Sequence, residues 1–111
     1  MRVFQKMRYD RGMDRSDVIA RLRSVEPALR ARGIAALYLF GSYGRDDAGA
    51  TSDIDIFVDA ASDRFYDLSN FMGAYDALRT AFPETRIGYS TRDGLSKYVR
   101  DVAEDEAIRV F

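Results

Sequence analysis

The chain has no cysteine and no histidine. The first absence excludes disulfides, zinc–thiolate centres and a thiol nucleophile. The second removes the commonest general base, so any catalysis must use carboxylates, metal ions, hydroxyls or arginines. Long apolar runs are missing too. The longest, Ile34 to Phe40, falls well short of the roughly 20 residues a membrane span requires. The early arginines have no apolar segment behind them, which reads against a secretory signal. These absences set the expectation of a cytoplasmic protein with no membrane role. An excess of one charge is also lacking: 17 Lys and Arg against 18 Asp and Glu leave a net charge of −1. No basic footprint is visible at chain level, so direct nucleic-acid binding is not expected.

What is present is a hydrophobic content of 47% in 111 residues, enough for one domain around one core. Arg2, Lys6, Arg8, Arg11, Arg15, Arg21 and Arg23 lie early, whereas Asp46, Asp47, Asp53, Asp55, Asp59 and Asp63 cluster centrally. The basic stretch is either a solvated helix face or a partner-binding arm. Residues 1–12 carry no periodicity and read as an N-terminal arm without regular structure, ahead of a domain over 13–111. Asp14 or Ser16 caps a helix to about Arg32, with Val18, Ile19, Leu22, Val25 and Leu29 on one stripe. Pro27 kinks or restarts it, and Gly33 stops it.

Ile34 to Phe40 reads as a strand, Gly41 to Gly44 as a turn, and Arg45 to Thr51 as a polar loop. Asp53 to Asp59 alternates acid with apolar residues and reads as a second strand. A helix from about Arg64 to Phe82, capped by Ser62 or Asp63, places Phe65, Leu68, Met72, Tyr75 and Leu78 toward the core. Thr85 to Ser90 reads as a third strand and Leu95 to about Ala107 as a last helix. The apolar end, Ala107 to Phe111, either closes the core or meets a partner. This order predicts an α/β (α+β) layer fold with helices on a small sheet.

The chemistry concentrates in two segments. On a strand, Asp53 and Asp55 project to the same side while Ile54, Ile56 and Val58 project into the core. Two carboxylates one pleat apart repel unless a cation lies between them, and their hard oxygens suit Mg²⁺ shared with phosphates and water. Gly41 follows a hydrophobic strand, where the lack of a side chain lets a phosphate approach the backbone. Ser42 adds a hydroxyl and an N–H at the start of a potential helical turn, and Arg45 can reach a phosphate by charge-assisted hydrogen bonds.

Gly41-Ser42, ten intervening residues, then Asp53-Ile54-Asp55 resembles the signature of the nucleotidyltransferase superfamily that includes DNA polymerase beta. The stretch Gly41-Ser42-Tyr43-Gly44-Arg45 through Ser52-Asp53-Ile54-Asp55-Ile56 resembles the minimal nucleotidyltransferase group. So do the tail Thr91-Arg92-Asp93-Gly94-Leu95-Ser96 and the end Glu106-Ala107-Ile108-Arg109-Val110-Phe111. The resemblance covers about residues 14–111 and implies the minimal nucleotidyltransferase fold, a small mixed sheet of three or more strands flanked by helices. It implies transfer of a nucleotidyl group from a nucleoside triphosphate such as ATP to a hydroxyl. Gly41, Ser42 and Arg45 would hold the triphosphate, and Asp53 and Asp55 would bind two Mg²⁺ ions. Many members are MntA-like antitoxins that form a hetero-oligomer with a HEPN-domain ribonuclease toxin and add AMP to one of its tyrosines. Two alternatives remain: neutralisation by complex formation, and transfer to a small molecule such as an antibiotic.

One departure from the family pattern matters. Where the family carries a third aspartate on a later strand, this chain has Gly88. Asp93 and Glu84 lie five and four residues away, on the order of 15 and 13 Å along a straight strand. Gly88 reflects a natural loss, a carboxylate supplied from elsewhere, including a partner chain, or an engineered Asp→Gly substitution.

Overall fold

The computed structural model describes residues 13–111. The arm expected over 1–12 lies outside the described residues. Helix α1 (Arg15–Ser24) is capped by Asp14, not Ser16. The Asp14 carboxylate accepts from the Asp17 N–H at 2.9 Å, and the Asp17 carboxylate accepts from the Asp14 N–H at 3.3 Å. This reciprocal cap satisfies donors that the first helical turn would otherwise leave open. Pro27 restarts the chain as α2 (Glu26–Ala31), since a proline in the first turn removes no helical hydrogen bond. Gly33, at φ 104°, ends it. Val18, Leu22 and Leu29 are buried, with Ile19 and Val25 packed partly against them.

Strand β1 (Ile34–Phe40) has the expected bounds. The expected turn after it is helical: α3 (Gly41–Arg45) follows with no linker and stops at Asp46, whose φ of 63° is left-handed. Asp tolerates that region better than most residues. Strand β2 (Ile54–Ala60) starts one residue later than expected.

The expected helix from Arg64 to Phe82 is two pieces. A 3₁₀ turn (Asp63–Tyr66), capped by the Ser62 hydroxyl, ends at an extended Asp67 before α4 (Leu68–Ala81). That break resets the helical phase, so the expected stripe fails in part. Phe65 and Leu78 are buried, but Leu68 is 74% exposed and Met72 42%. Ala74 is buried, and Phe71, Ala77 and Ala81 pack against the core in their place. Strand β3 (Ile87–Thr91) and α5 (Lys97–Glu106) follow, the latter capped by Ser96. A short β4 (Ile108–Arg109) completes the sheet.

The four strands lie in the order β3-β2-β1-β4. β2 and β3 are parallel, joined by α4 as a crossover, while β1 pairs antiparallel with β2 and β4. Leu37, Leu39, Ile54, Ile56 and Val58 join α1, α2 and α4 in the main core. On the opposite face Phe57 is also fully buried. Its ring stacks on Tyr38 at 4.9 Å, and the Arg92 guanidinium lies 4.8 Å from its centroid. Arg92 donates to both Asp59 oxygens at 2.9 Å and to Glu104 of α5 at 2.6 Å, tying the helix to this face.

The chain end closes its own core. Val110 is buried and its N–H donates to the Leu37 carbonyl at 2.8 Å; the Leu37 N–H donates to the Phe111 carbonyl at 2.9 Å.

Candidate active site

Sheet register assembles the site. Phe40 pairs with Asp55, and Asp55 pairs with Gly88 on the parallel strand. Leu39 pairs antiparallel with Ile108. Extending that register by two residues sets residue 106 opposite residue 41. The end of β1, the starts of β2 and β3, and the end of α5 therefore meet at one end of the sheet.

Asp55 lies against two glycines. A Cβ on Gly88 would sit 2.7 Å from Asp55 Oδ1, and one on Gly41 would collide with Asp55 Oδ2. The carboxylate fills the space that two ordinary side chains would occupy. Gly41 also needs its φ of 68°, which other residues adopt at a cost. Among the described residues, neither the Asp53 nor the Asp55 carboxylate has a hydrogen-bond or ion-pair partner.

Burial pushes the half-buried Asp55 carboxyl above its ordinary range; the Asp53 charge adds to this, Arg45 opposes it, and Glu106 adds to it. The sign follows. A carboxyl whose folded pKa is raised favours folding while protonated and loses that contribution as pH rises through the folded value. In metal-free protein, Asp55→Asn is therefore expected to raise the urea midpoint at pH 7. The gain should fade as pH falls below the ordinary carboxylate range. A lower midpoint at pH 7 would show that the charge is compensated.

On α3, the Gly41 N–H donates to Glu106 Oε2 at 3.2 Å. The Ser42 hydroxyl has no partner among the described residues, while its carbonyl accepts from the Asp47 N–H at 2.9 Å. Tyr43 points inward, its hydroxyl donating to the Met13 carbonyl at 3.2 Å. At Gly44, a Cβ would meet the Leu39 and Glu106 carbonyl oxygens at 3.0 Å, so α3 and the end of α5 are in backbone contact. Arg45 donates to Glu106 Oε1 at 2.8 Å and to Asp47 Oδ2 at 3.1 Å.

Gly41 thus lies against both Asp55 and Glu106, Arg45 bonds Glu106, Asp53 is near enough to act on Asp55 by its charge, and Ser42 follows Gly41 on α3 at the same end of the sheet. Glu106 is the member that local sequence reasoning did not single out. Its only sequence signal is its place at the head of the family-like chain end. What brings it in is the pairing of β4 with β1.

The donor set can be tested against Mg²⁺. Among the described residues, no three His, Cys, Asp or Glu side chains gather into a ligand cluster. Two unpaired carboxylates match what Mg²⁺ takes from a protein when substrate phosphates and water supply the rest. The residues fit the ion as a partial set, and Gly88 stands where a third ligand could project.

The profile of the nucleotidyltransferase domain family matches residues 22–110. A solved structure described as a minimal nucleotidyltransferase superposes with a TM-score of 0.72 at 27% identity, covering 86% of this chain and 95% of that one. A mutant of the toxin–antitoxin complex MntA–HpeT superposes with a TM-score of 0.57 at 20% identity, covering 89% of this chain and 73% of that one. The second likeness is one of fold. No curated protein sequence matches the chain. Among the described residues, no helix is long and apolar enough to cross a membrane.

Proposed function

Because the chain belongs to the nucleotidyltransferase domain family, we propose that it binds Mg²⁺-ATP between the Gly41-Ser42 loop and the Asp53/Asp55 pair and transfers AMP to a hydroxyl of a partner protein, the hydroxyl oxygen bonding to the α-phosphorus as pyrophosphate leaves. The observation that carries this reading is the Asp55 carboxylate, unpaired and pressed between the loop glycine and Gly88. A half-buried, unpartnered carboxylate beside a second one costs free energy in the empty protein. A bound cation would recover it.

Each residue has a role in this reading. The Gly41 backbone lets the triphosphate lie close, and its N–H turns toward it. The Ser42 hydroxyl donates to a phosphate oxygen, and Arg45 neutralises phosphate charge. Asp53 and Asp55 hold Mg²⁺. The ions, when bound, stabilise charge on the attacking and leaving oxygens of an in-line displacement.

The partner is a HEPN-type ribonuclease toxin, by resemblance to minimal nucleotidyltransferase antitoxins and by fold likeness to a toxin–antitoxin complex. The acceptor is a toxin tyrosine, the setting is the cytoplasm, and AMP blocks the toxin's RNA site by bulk and charge. The test is intact-mass spectrometry of the partner after incubation with Mg²⁺-ATP. Additions in whole AMP units are expected with this chain and lost in the Asp53→Asn, Asp55→Asn double variant. Incorporation that persists in the double variant contradicts the assignment.

One observation favours a second reading. Gly88 pairs with Asp55 and offers no carboxylate there, which favours neutralisation by complex formation. A toxin that stays active in a stoichiometric complex lacking AMP would exclude it.

A further inference from the structure

Glu106 uses both of its oxygens on the loop assigned above to phosphate: Oε2 accepts from the Gly41 N–H and Oε1 from Arg45. Its side chain is 17% exposed, the least of any carboxylate in an ion pair among the described residues. The placement brings a further negative charge near Asp55, offset by the ion pair with Arg45. The β1–β4 register brings Glu106, the last residue of α5, beside the loop, and there its carboxylate bonds the two donors.

We infer that Glu106 is an internal stand-in for a phosphate group. It keeps Gly41 and Arg45 oriented in the empty protein and gives them up when nucleotide arrives. The inference rests on the loop assignment under "Proposed function". The competition is physical. The Gly41 N–H carries one hydrogen, and a well-aligned bond to Glu106 leaves none for a phosphate oxygen. Arg45 divided between Glu106 and Asp47 likewise has fewer donors to offer. Glu106 is thus a positioning residue that lowers nucleotide affinity in return for a preset loop.

The test is calorimetric titration of the whole chain with Mg²⁺-ATP, comparing Glu106→Gln with Asp105→Asn. Asp105 is the exposed neighbour, so its variant removes the same charge without touching the loop. Charged hydrogen bonds are among the stronger net contributors, so Glu106→Gln is expected to bind on the order of tenfold tighter. Asp105→Asn should leave the affinity unchanged. In the same samples, the Gly41 amide resonance should shift in Glu106→Gln before any nucleotide is added.

Affinity that is equal or weaker in Glu106→Gln overturns the inference, and so does equal tightening by both variants. Absence of binding by every variant and by the unaltered chain is a different result. It sinks the loop assignment itself and the inference with it. If Glu106→Gln does not fold, Glu106→Asp, which draws the carboxylate back by one methylene, is titrated in its place with the same expected direction.

Discussion

Gly88→Asp is expected to raise AMP transfer by about 10²–10⁴-fold, the range a positioned general base typically contributes. Gly88 pairs with Asp55 in the parallel register, so a side chain there projects to the same face as the acidic pair. Its φ lies outside the left-handed region, and the single close approach is to Asp55 Oδ1 at 2.7 Å. That atom is the far end of a rotatable side chain, so a Cβ can be accommodated by a small turn of the Asp55 carboxylate. The added charge repels Asp53 and Asp55 in metal-free protein, so the variant should be less stable without Mg²⁺ and recover with it. Time courses of partner mass at fixed Mg²⁺-ATP would read the rate. An unchanged rate would mean that another group, in this chain or its partner, already fills the role of the third carboxylate.

Phe57→Ala is expected to cost about 3–5 kcal/mol of stability, the usual price of emptying a buried aromatic site. Phe57 is fully buried in β2 on the face that carries Asp55. Its ring meets Tyr38 at 4.9 Å and Phe40 at 5.6 Å, and Arg92 lies over it at 4.8 Å. Removing it opens a cavity between rigid strands and takes from Arg92 one of the two rings beneath it. Small domains are stable by only about 5–15 kcal/mol, so a large share of the fold would be lost. Urea denaturation with an unchanged slope would measure it. Leu68→Ala, at a site 74% exposed, serves as the contrast and should stay within about 0.5 kcal/mol. A loss below about 1 kcal/mol for Phe57→Ala would show that this face repacks freely.

The elements with strong local signals were legible in the sequence. β1 has the bounds its apolar run predicts, and Pro27 and Gly33 act where their chemistry says they must. Other features were not local. Gly88 pairs with Asp55 across the parallel strands, a neighbourhood that follows from the β2–β3 register and not from any local signal. The stripe Phe65-Leu68-Met72 failed because Asp67 is extended, and periodicity counted across a break loses its phase. β4 is two residues long and exists only because β1 offers an edge to pair with. Glu106 escaped for the same reason. Its contact with Gly41 spans 65 positions, and only the β1–β4 register makes them neighbours.

The central claim is that a nucleotide and its magnesium lie between the Gly41-Ser42 loop and the Asp53/Asp55 pair. Isothermal titration of the chain with ATP, with and without Mg²⁺, tests it most directly when run beside the Asp53→Asn, Asp55→Asn double variant. The account predicts saturable binding that requires Mg²⁺ and is abolished in the double variant, while thermal melting shows the variant still folded. Binding of equal strength in the folded double variant, or binding indifferent to Mg²⁺, would contradict it.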